Sequence, residues 1–400
     1  MHGHTNSQDL RPVNLLESLS PNARLAPESG IVEVVNYARN RDGLIPLWVG
    51  EGDMATPKFI SDAAIASLSA GDTFYTWQRG IPDLRRALSD YYNRHFGKRL
   101  SPEHFYVVGS GMQAIKLSIE AVCQPGDEAV YLTPAWPNFA AALEISGSRA
   151  IACELQFGDG KWSLDAERLK AAIGPKTKAL FINTPSNPTG WTATLDDLRD
   201  ILALARKHDL WIIADEIYAL YSYTGARAPS FLDVMEDDDK ILFVNSFSKN
   251  WSMTGWRVGW IVAPPQTGQV FENLVQYSTS GVAEFLQKGA IAALDQGDAL
   301  IRDNFEKARL SRDILCDALI ATNRVETLKP DGALYAFLKI DGISDSRKAA
   351  FEIVDKAGVG LAPGTAFGPG GAMFLRACFL RDPAQVRVAA ERLAEYIRGL

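Results

Sequence analysis

Several things are scarce in this sequence. No apolar run in its 400 residues approaches the roughly 20 needed to cross a bilayer. The first twenty residues, MHGHTNSQDLRPVNLLESLS, have no charged-then-apolar leader pattern. The four cysteines, Cys123, Cys153, Cys316 and Cys378, are widely spaced with no CxxC pair, which sets aside a paired-cysteine site. They read as reduced, structural residues of a cytoplasmic protein. There is no basic excess: 41 Lys and Arg face 48 Asp and Glu, for a net charge of -7 and a pI near 5.4. That balance argues against general binding to nucleic acid or anionic membranes. Histidines number only five; His2 and His4 fit an unstructured start better than a metal site. No internal repeat or low-complexity segment interrupts the chain.

What is present is a core. Hydrophobic residues make up 47% of the chain and charged residues 22%, an ordinary balance for one large folded unit plus a smaller one. From about residue 50 to 265, short apolar runs alternate with helical patterns. Strands are predicted at FYVV (105), AVYL (129), ALFI (179), LWIIAD (210), ILFV (241) and WIVA (260). Helical periodicity lies between most of them, as in MQAIKLSIEAV and LDDLRDILALARKH. This alternation predicts an α/β fold: a largely parallel sheet between helices. From about 285 long helical stretches surround YAFLKI, which predicts a smaller α+β unit. The expected division is 1–50 as an arm and part of the small unit, 51–284 as the large unit and 285–400 as the small one. Residues before Gly50 are expected to fold back onto the last.

In open α/β sheets ligands collect at the carboxyl ends of strands, and the unusual residues of this chain stand there. After FYVV comes GSGMQAI, where Gly109, Ser110 and Gly111 open a helix whose free N–H groups suit an anion. Alone, it reads as a tight turn. After AVYL comes TPAWPNF, with Trp136 between two prolines; a packed structural ring is the equal alternative. After ALFI comes NTPSNPTG, in which Asn187 and Gly190 also suit a plain turn. Asp215 ends the next strand, where an ionised carboxylate is costly unless paired, though it also suits a helix cap. ILFV leads to NSFSK and Lys249, with Arg257 eight residues on. Together these supply an anion cradle, a flat ring, an amide, a carboxylate, an amine and a guanidinium. A ligand matching them carries a phosphate, a planar ring with a protonatable nitrogen, and an aldehyde. Pyridoxal 5'-phosphate has all four features.

With these residues the chain resembles the fold-type I pyridoxal-phosphate enzymes, and among them the class I/II aminotransferases close to aspartate aminotransferase. The resemblance runs from about Ser29 to the C-terminal helix. It is carried by NPTG at Asn187–Gly190, Asp215 with Tyr218, the S-x-S-K from Ser246 to Lys249, Arg257, and FLRACF with Arg376. It implies that Lys249 holds the cofactor as a Schiff base and then moves the substrate Cα proton, and that Asp215 pairs with the ring nitrogen. Asn187 and Tyr218 become donors to the ring's phenolic oxygen, and Trp136 a stacking ring. Ser110, Gly111, Met112, Ser246 and Arg257 become the phosphate cup. Tyr75 becomes a ligand to the neighbouring subunit's phosphate, which implies a homodimer with shared sites. Arg376 and the backbone of Gly50 take the substrate α-carboxylate, with Ile31 beside them. The family's G-E-P-D is G-E-G-D here, with Gly52 in place of proline.

The implied reaction is ping-pong amine transfer from an L-amino acid to a 2-oxo acid. The alternative is a carbon–sulfur β-lyase, suggested by IPLWVGEGDM but opposed by the intact GWRVGW after Lys249. A regulator with an aminotransferase-like domain is set aside, since the residues before Ile31 carry no helix-turn-helix pattern. No Lys or Arg occurs from Val258 through Gln287, which disfavours a dicarboxylate held by a partner-subunit arginine from that stretch. Other subgroups bind acidic substrates differently, so aspartate stays open as a donor, while Ile31, Tyr75, Trp136, Trp256 and Tyr335 around the site point to an apolar or aromatic one. MEDDDK reads as a solvated turn, and GTAFGPGGAMFLR as the segment that sets Arg376 in place. No metal site is expected.

Overall fold

A computed structural model of the chain describes residues 15–24 and 26–400; His2 and His4 lie outside the described residues. Seven strands build the main sheet: β1 (Phe105–Val108), β2 (Glu128–Thr133), β3 (Arg149–Glu154), β4 (Thr177–Asn183), β5 (Trp211–Asp215), β6 (Ile241–Ser246) and β7 (Gly259–Val262). Their order across the sheet is β1-β7-β6-β5-β4-β2-β3. All six expected strands are there. The unexpected one, β3, is an edge strand whose ends, Arg149 and Glu154, are exposed, so no uniform apolar run marks it.

Neighbouring strands are parallel except at β7, which runs antiparallel to both β1 and β6. The carboxyl ends of β1, β2, β4, β5 and β6 therefore share one edge with the amino end of β7. That reversal brings Arg257, which precedes β7, back to the edge where Lys249 follows β6.

Four helices of the first third matter for the site: α1 (Gly30–Ala38), α2 (Lys58–Ala70), α3 (Pro82–Phe96) and α4 (Gly111–Val122). The long helical stretch predicted from 285 is two helices, α5 (Glu284–Gln296) and α6 (Asp298–Ile320). They break at Gly297, where a Cβ would stand 2.2 Å from the Ala293 carbonyl oxygen and 2.6 Å from the Trp251 indole nitrogen. Trp251 fills that space and is fully buried; Trp256 is partly buried, packs on the same core and bonds through its indole N–H to Thr56 Oγ1. Both are packing residues.

A second core surrounds a three-stranded antiparallel sheet of β8 (Tyr335–Lys339), β9 (Ala362–Pro363) and β10 (Phe374–Cys378), in the order β8-β10-β9. The helices α7 (Ser346–Ala357) and α8 (Pro383–Arg398) cover it. Core membership changes within α6: Ile301 packs with the main sheet, Ala308 and Leu315 with the small one. Helix α5 lies against α2 and α3 on the larger body. The segment before Gly50 does fold back: Ile45–Pro46 pairs in parallel with Val359–Gly360, and α1 packs on α7.

Among the described residues no helix is long and apolar enough to cross a membrane. MEDDDK is exposed at Glu236–Asp238 but not at its end. Asp239 is buried, capping the Glu236 N–H and gripped by both Nε and Nη2 of Arg206 at 2.7 Å. In GTAFGPGGAMFLR the chain crosses itself: a Cβ on Gly364 would lie 2.0 Å from the Gly371 carbonyl oxygen. This close crossing leads directly into β10 and Arg376.

Candidate active site

At the shared strand edge, beneath α1, lies a cavity of about 560 Å³. It is lined by Lys249, Asp215, Tyr218, Asn187, Arg376, Arg257, Ser246, Trp136, Gly111, Met112, Gly50 and Ile31, so residues spread over the whole chain meet in one place. Two expected members are not in its lining. Ser110 is buried just behind, capping α4 by accepting from the Gln113 N–H at 3.0 Å. Tyr75 is 94% exposed and stands away from the cavity of its own chain.

The lysine end is set by β6. Ser246 closes the strand, and its Oγ accepts from the Ser248 N–H, turning the chain so that Lys249 faces the cavity. The Lys249 ammonium donates to the Gly50 carbonyl oxygen at 2.5 Å. Burial pushes its pKa below the usual lysine value, and the positive charges of Arg376 and Arg257 act in the same direction; Cys378 and Glu51 oppose them.

Asp215 ends β5 with only 7% of its surface exposed. One oxygen accepts from the Ile217 N–H at 3.3 Å; no Lys or Arg side chain among the described residues is ion-paired with it. Burial therefore raises its carboxyl to about 7, against smaller lowering by that N–H and by Lys249. A buried carboxylate that opens on a cavity and has no ion-paired side chain calls for a cationic N–H partner. Its neighbour Glu216, which the sequence reading passed over, is also buried and raised to about 7. It accepts from Ser230 Oγ at 2.6 Å and the Phe231 N–H at 2.9 Å, pinning the turn after Asp215.

The anion end combines three elements. The N–H groups of Gly111 and Met112 lie in the first turn of α4, where helices leave such donors free. Gly259 in β7 lets this turn come close, since a Cβ there would be 2.8 Å from the Gly111 nitrogen. Arg257 takes a left-handed backbone, φ 54°, and its guanidinium donates to the Thr254 carbonyl while facing the cavity. Met112 adds its side chain to the wall.

Arg376, 2% exposed, projects from β10 between the rings of Tyr335 and Phe367, at 4.7 and 4.9 Å. It donates to Asn187 Oδ1 at 3.0 Å and to the Trp48 carbonyl, and its Nε has no partner. A buried guanidinium with spare N–H groups suits a carboxylate. The sequence reading did not single out Asn183, Asn245, Glu51 or Arg39, which also line the cavity. Asn183 and Asn245 occupy strand ends beside Asp215 and Ser246, a position that could have flagged them.

The open α/β architecture, with a lysine, a carboxylate and one arginine at the strand edge and a second arginine facing them from the small sheet, is that of a transferase of the fold-type I class. The chain belongs to the aminotransferase class I and II family, whose model matches residues 42–393. It is 30% identical over 385 residues to the aspartate/prephenate aminotransferase of Thermus thermophilus, covering 96% of this chain and 97% of that protein. It is 32% identical over 378 residues to an arginine–pyruvate transaminase of Pseudomonas aeruginosa, covering 93% and 95%. A solved single mutant of Thermus thermophilus aspartate aminotransferase superimposes with a TM-score of 0.87 at 31% identity, over 94% of this chain and 99% of that one. The protein is an aminotransferase, and nothing in these likenesses supports the carbon–sulfur β-lyase alternative.

Proposed function

We propose that this aminotransferase works with pyridoxal 5'-phosphate bound at the strand edge and takes an apolar or aromatic L-amino acid as donor. The observation that carries the reading is the meeting of a buried Asp215 without an ion partner among the described residues and a Lys249 whose proton affinity burial lowers, in one cavity that also holds Arg257 and Arg376. When bound, the cofactor supplies an aldehyde for the incoming amine and a protonated ring that draws electrons from the substrate Cα.

Each residue has a task in that reading. Asp215 keeps the ring nitrogen protonated. Lys249, with its depressed proton affinity, takes the Cα proton and returns it elsewhere. Asn187 and Tyr218 donate toward the phenolic oxygen, and Trp136 lies on the ring. Ser110, Gly111, Met112, Ser246 and Arg257 hold the phosphate. Arg376 and the Gly50 N–H fix the α-carboxylate, which orients the Cα–H bond toward Lys249. Ile31, Val32 and Val35 of α1, with Met112, Ile115 and Trp136, offer the substrate side chain an apolar wall.

The same reading makes the protein a cytoplasmic homodimer with Tyr75 given to the partner's site. In its support, Tyr75, Phe74, Trp77 and Tyr277 are all exposed aromatics. The chain then divides at about 50 and 284 into an arm, a cofactor-binding unit and a small unit, with α5, which begins at Glu284, packed back on the larger body.

The test is a donor panel on the cofactor-loaded enzyme, read by loss of its absorbance band and by 2-oxo acid released. Leucine, methionine and phenylalanine should discharge the band roughly tenfold or more faster than aspartate. Lys249→Ala should lower turnover by about 10²–10⁴-fold. Normal turnover in that variant, or no band on loading, overturns the reading.

A further inference from the structure

Tyr335 stands where three site groups meet, although no motif marks it. Its hydroxyl is 2.7 Å from the Tyr218 hydroxyl, and both side chains are buried. Its ring lies under the Arg376 guanidinium at 4.7 Å. Its hydroxyl also occupies the space beside Gly50: a Cβ on that glycine would fall 2.2 Å from Tyr335 Oη. Tyr335 comes from β8 of the small sheet and Tyr218 from the turn after β5 of the main one. This one hydrogen bond therefore ties the small sheet to the cofactor edge.

Two phenols at this distance share one proton between them, and only one can donate. The Arg376 cation over the Tyr335 ring favours electron withdrawal from that phenol, making it the better donor. Tyr335 then donates to Tyr218, and the Tyr218 proton is left to point into the cavity. The reverse arrangement would turn the Tyr218 proton away and leave a lone pair facing the site.

We propose that Tyr335 is a positioning residue that fixes the Tyr218 hydroxyl as a donor toward the anionic ring oxygen of the cofactor. The proposal rests on the reading that the cavity holds pyridoxal phosphate. A donor held there stabilises the deprotonated, negatively charged oxygen, so it lowers the pH midpoint of the bound cofactor's absorbance change. Chained hydrogen bonds polarise one another, so Tyr335 acts on that midpoint through Tyr218.

The experiment is a spectrophotometric pH titration of the loaded enzyme without substrate. Tyr335→Phe, which removes one oxygen and keeps the ring, should raise the midpoint by roughly half a unit to one unit. Tyr218→Phe should raise it more. In the Tyr218→Phe background, Tyr335→Phe should produce no further shift. An unchanged midpoint in Tyr335→Phe overturns the proposal, and so does an equal shift with and without the Tyr218 hydroxyl. Should Tyr335→Phe fail to fold, 3-fluorotyrosine at position 335 gives a stronger donor of similar size and should move the midpoint down; no movement again overturns it. If no titrating band forms in the unaltered protein, the cofactor reading fails instead, so the two failures are distinct.

Discussion

The two walls of the cavity are built on different principles. The strand-end wall carries Asp215, Ser246, Lys249 and Asn187 on or just after strands paired on both sides within the main sheet. Most of its polar groups are buried and tied: Asn187 by Arg376, Asp215 by Ile217, Ser246 by Ser248. The opposite wall is one face of α1, a nine-residue helix whose Ile31, Val32, Val35 and terminal Arg39 reach the cavity. Only Val34 and Ala38 of that helix are buried, and Val32 is half exposed. Rigid strand ends hold groups whose positions decide chemistry, whereas a partly exposed helix face can change its side chains at little cost to the fold. On the proposed reading, the amine transfer belongs to the first wall and the choice of donor to the second.

The strongest way to break this division is at Asp215. Asp215→Asn should lower turnover by roughly 10²–10³-fold for every donor, since on the proposed reading it removes the carboxylate that would pair with the cofactor's ring nitrogen. It should also change the cofactor-free protein. Because burial raises the Asp215 carboxyl to about 7 from an unfolded value near 3.9, its stabilising protonated form is fully present below about pH 4 and is lost as pH rises through 7. Thermal melting of the cofactor-free protein should fall across that window, and Asp215→Asn should lessen the fall, the remainder belonging to the buried Glu216 carboxyl, also raised to about 7. A fall that the substitution leaves unchanged would mean that Asp215 does not hold its proton in the folded protein.

A middle-sized effect should come from Arg376→Lys, which keeps the charge and loses the planar fork. KM for both amino acid and 2-oxo acid should rise about 10–100-fold, with a smaller change in kcat. The smallest effect belongs to the helix wall. Val35→Ala should alter the ratio of kcat/KM between phenylalanine and alanine by roughly 3–10-fold and leave the cofactor's absorbance band in place. If it instead slowed all donors equally, the walls would not be separate.

Legibility in the sequence follows the same line. The strand-end residues could be read because each interrupts an apolar run with a polar group at a fixed spacing, as in NSFSK and ADEIY. The strands of the main sheet were equally clear, except β3, whose edge position allows charged ends. The helix break at Gly297 was hidden, because helical periodicity continues on both sides of it and the Trp251 ring that requires a glycine there is distant in sequence. Tyr335 was visible only as a nearby aromatic: its part in the site depends on a contact with Tyr218, more than a hundred residues earlier. Asp239 misled for the opposite reason, an acidic run concealing one buried, paired member.

The reversed strand β7 has one more consequence. Gly259 pairs directly with Ser246, so the chain leaves the sheet and re-enters it at one rung. Everything between them is a closed hoop with both feet clamped, and Lys249 and Arg257 ride on it. On the proposed reading the hoop works as a length gauge: it sets how far the Lys249 amine stands from the Arg257 guanidinium. A one-residue insertion there would leave the sheet intact and detune the distance, so in this loop, unlike most, length is constrained as tightly as composition.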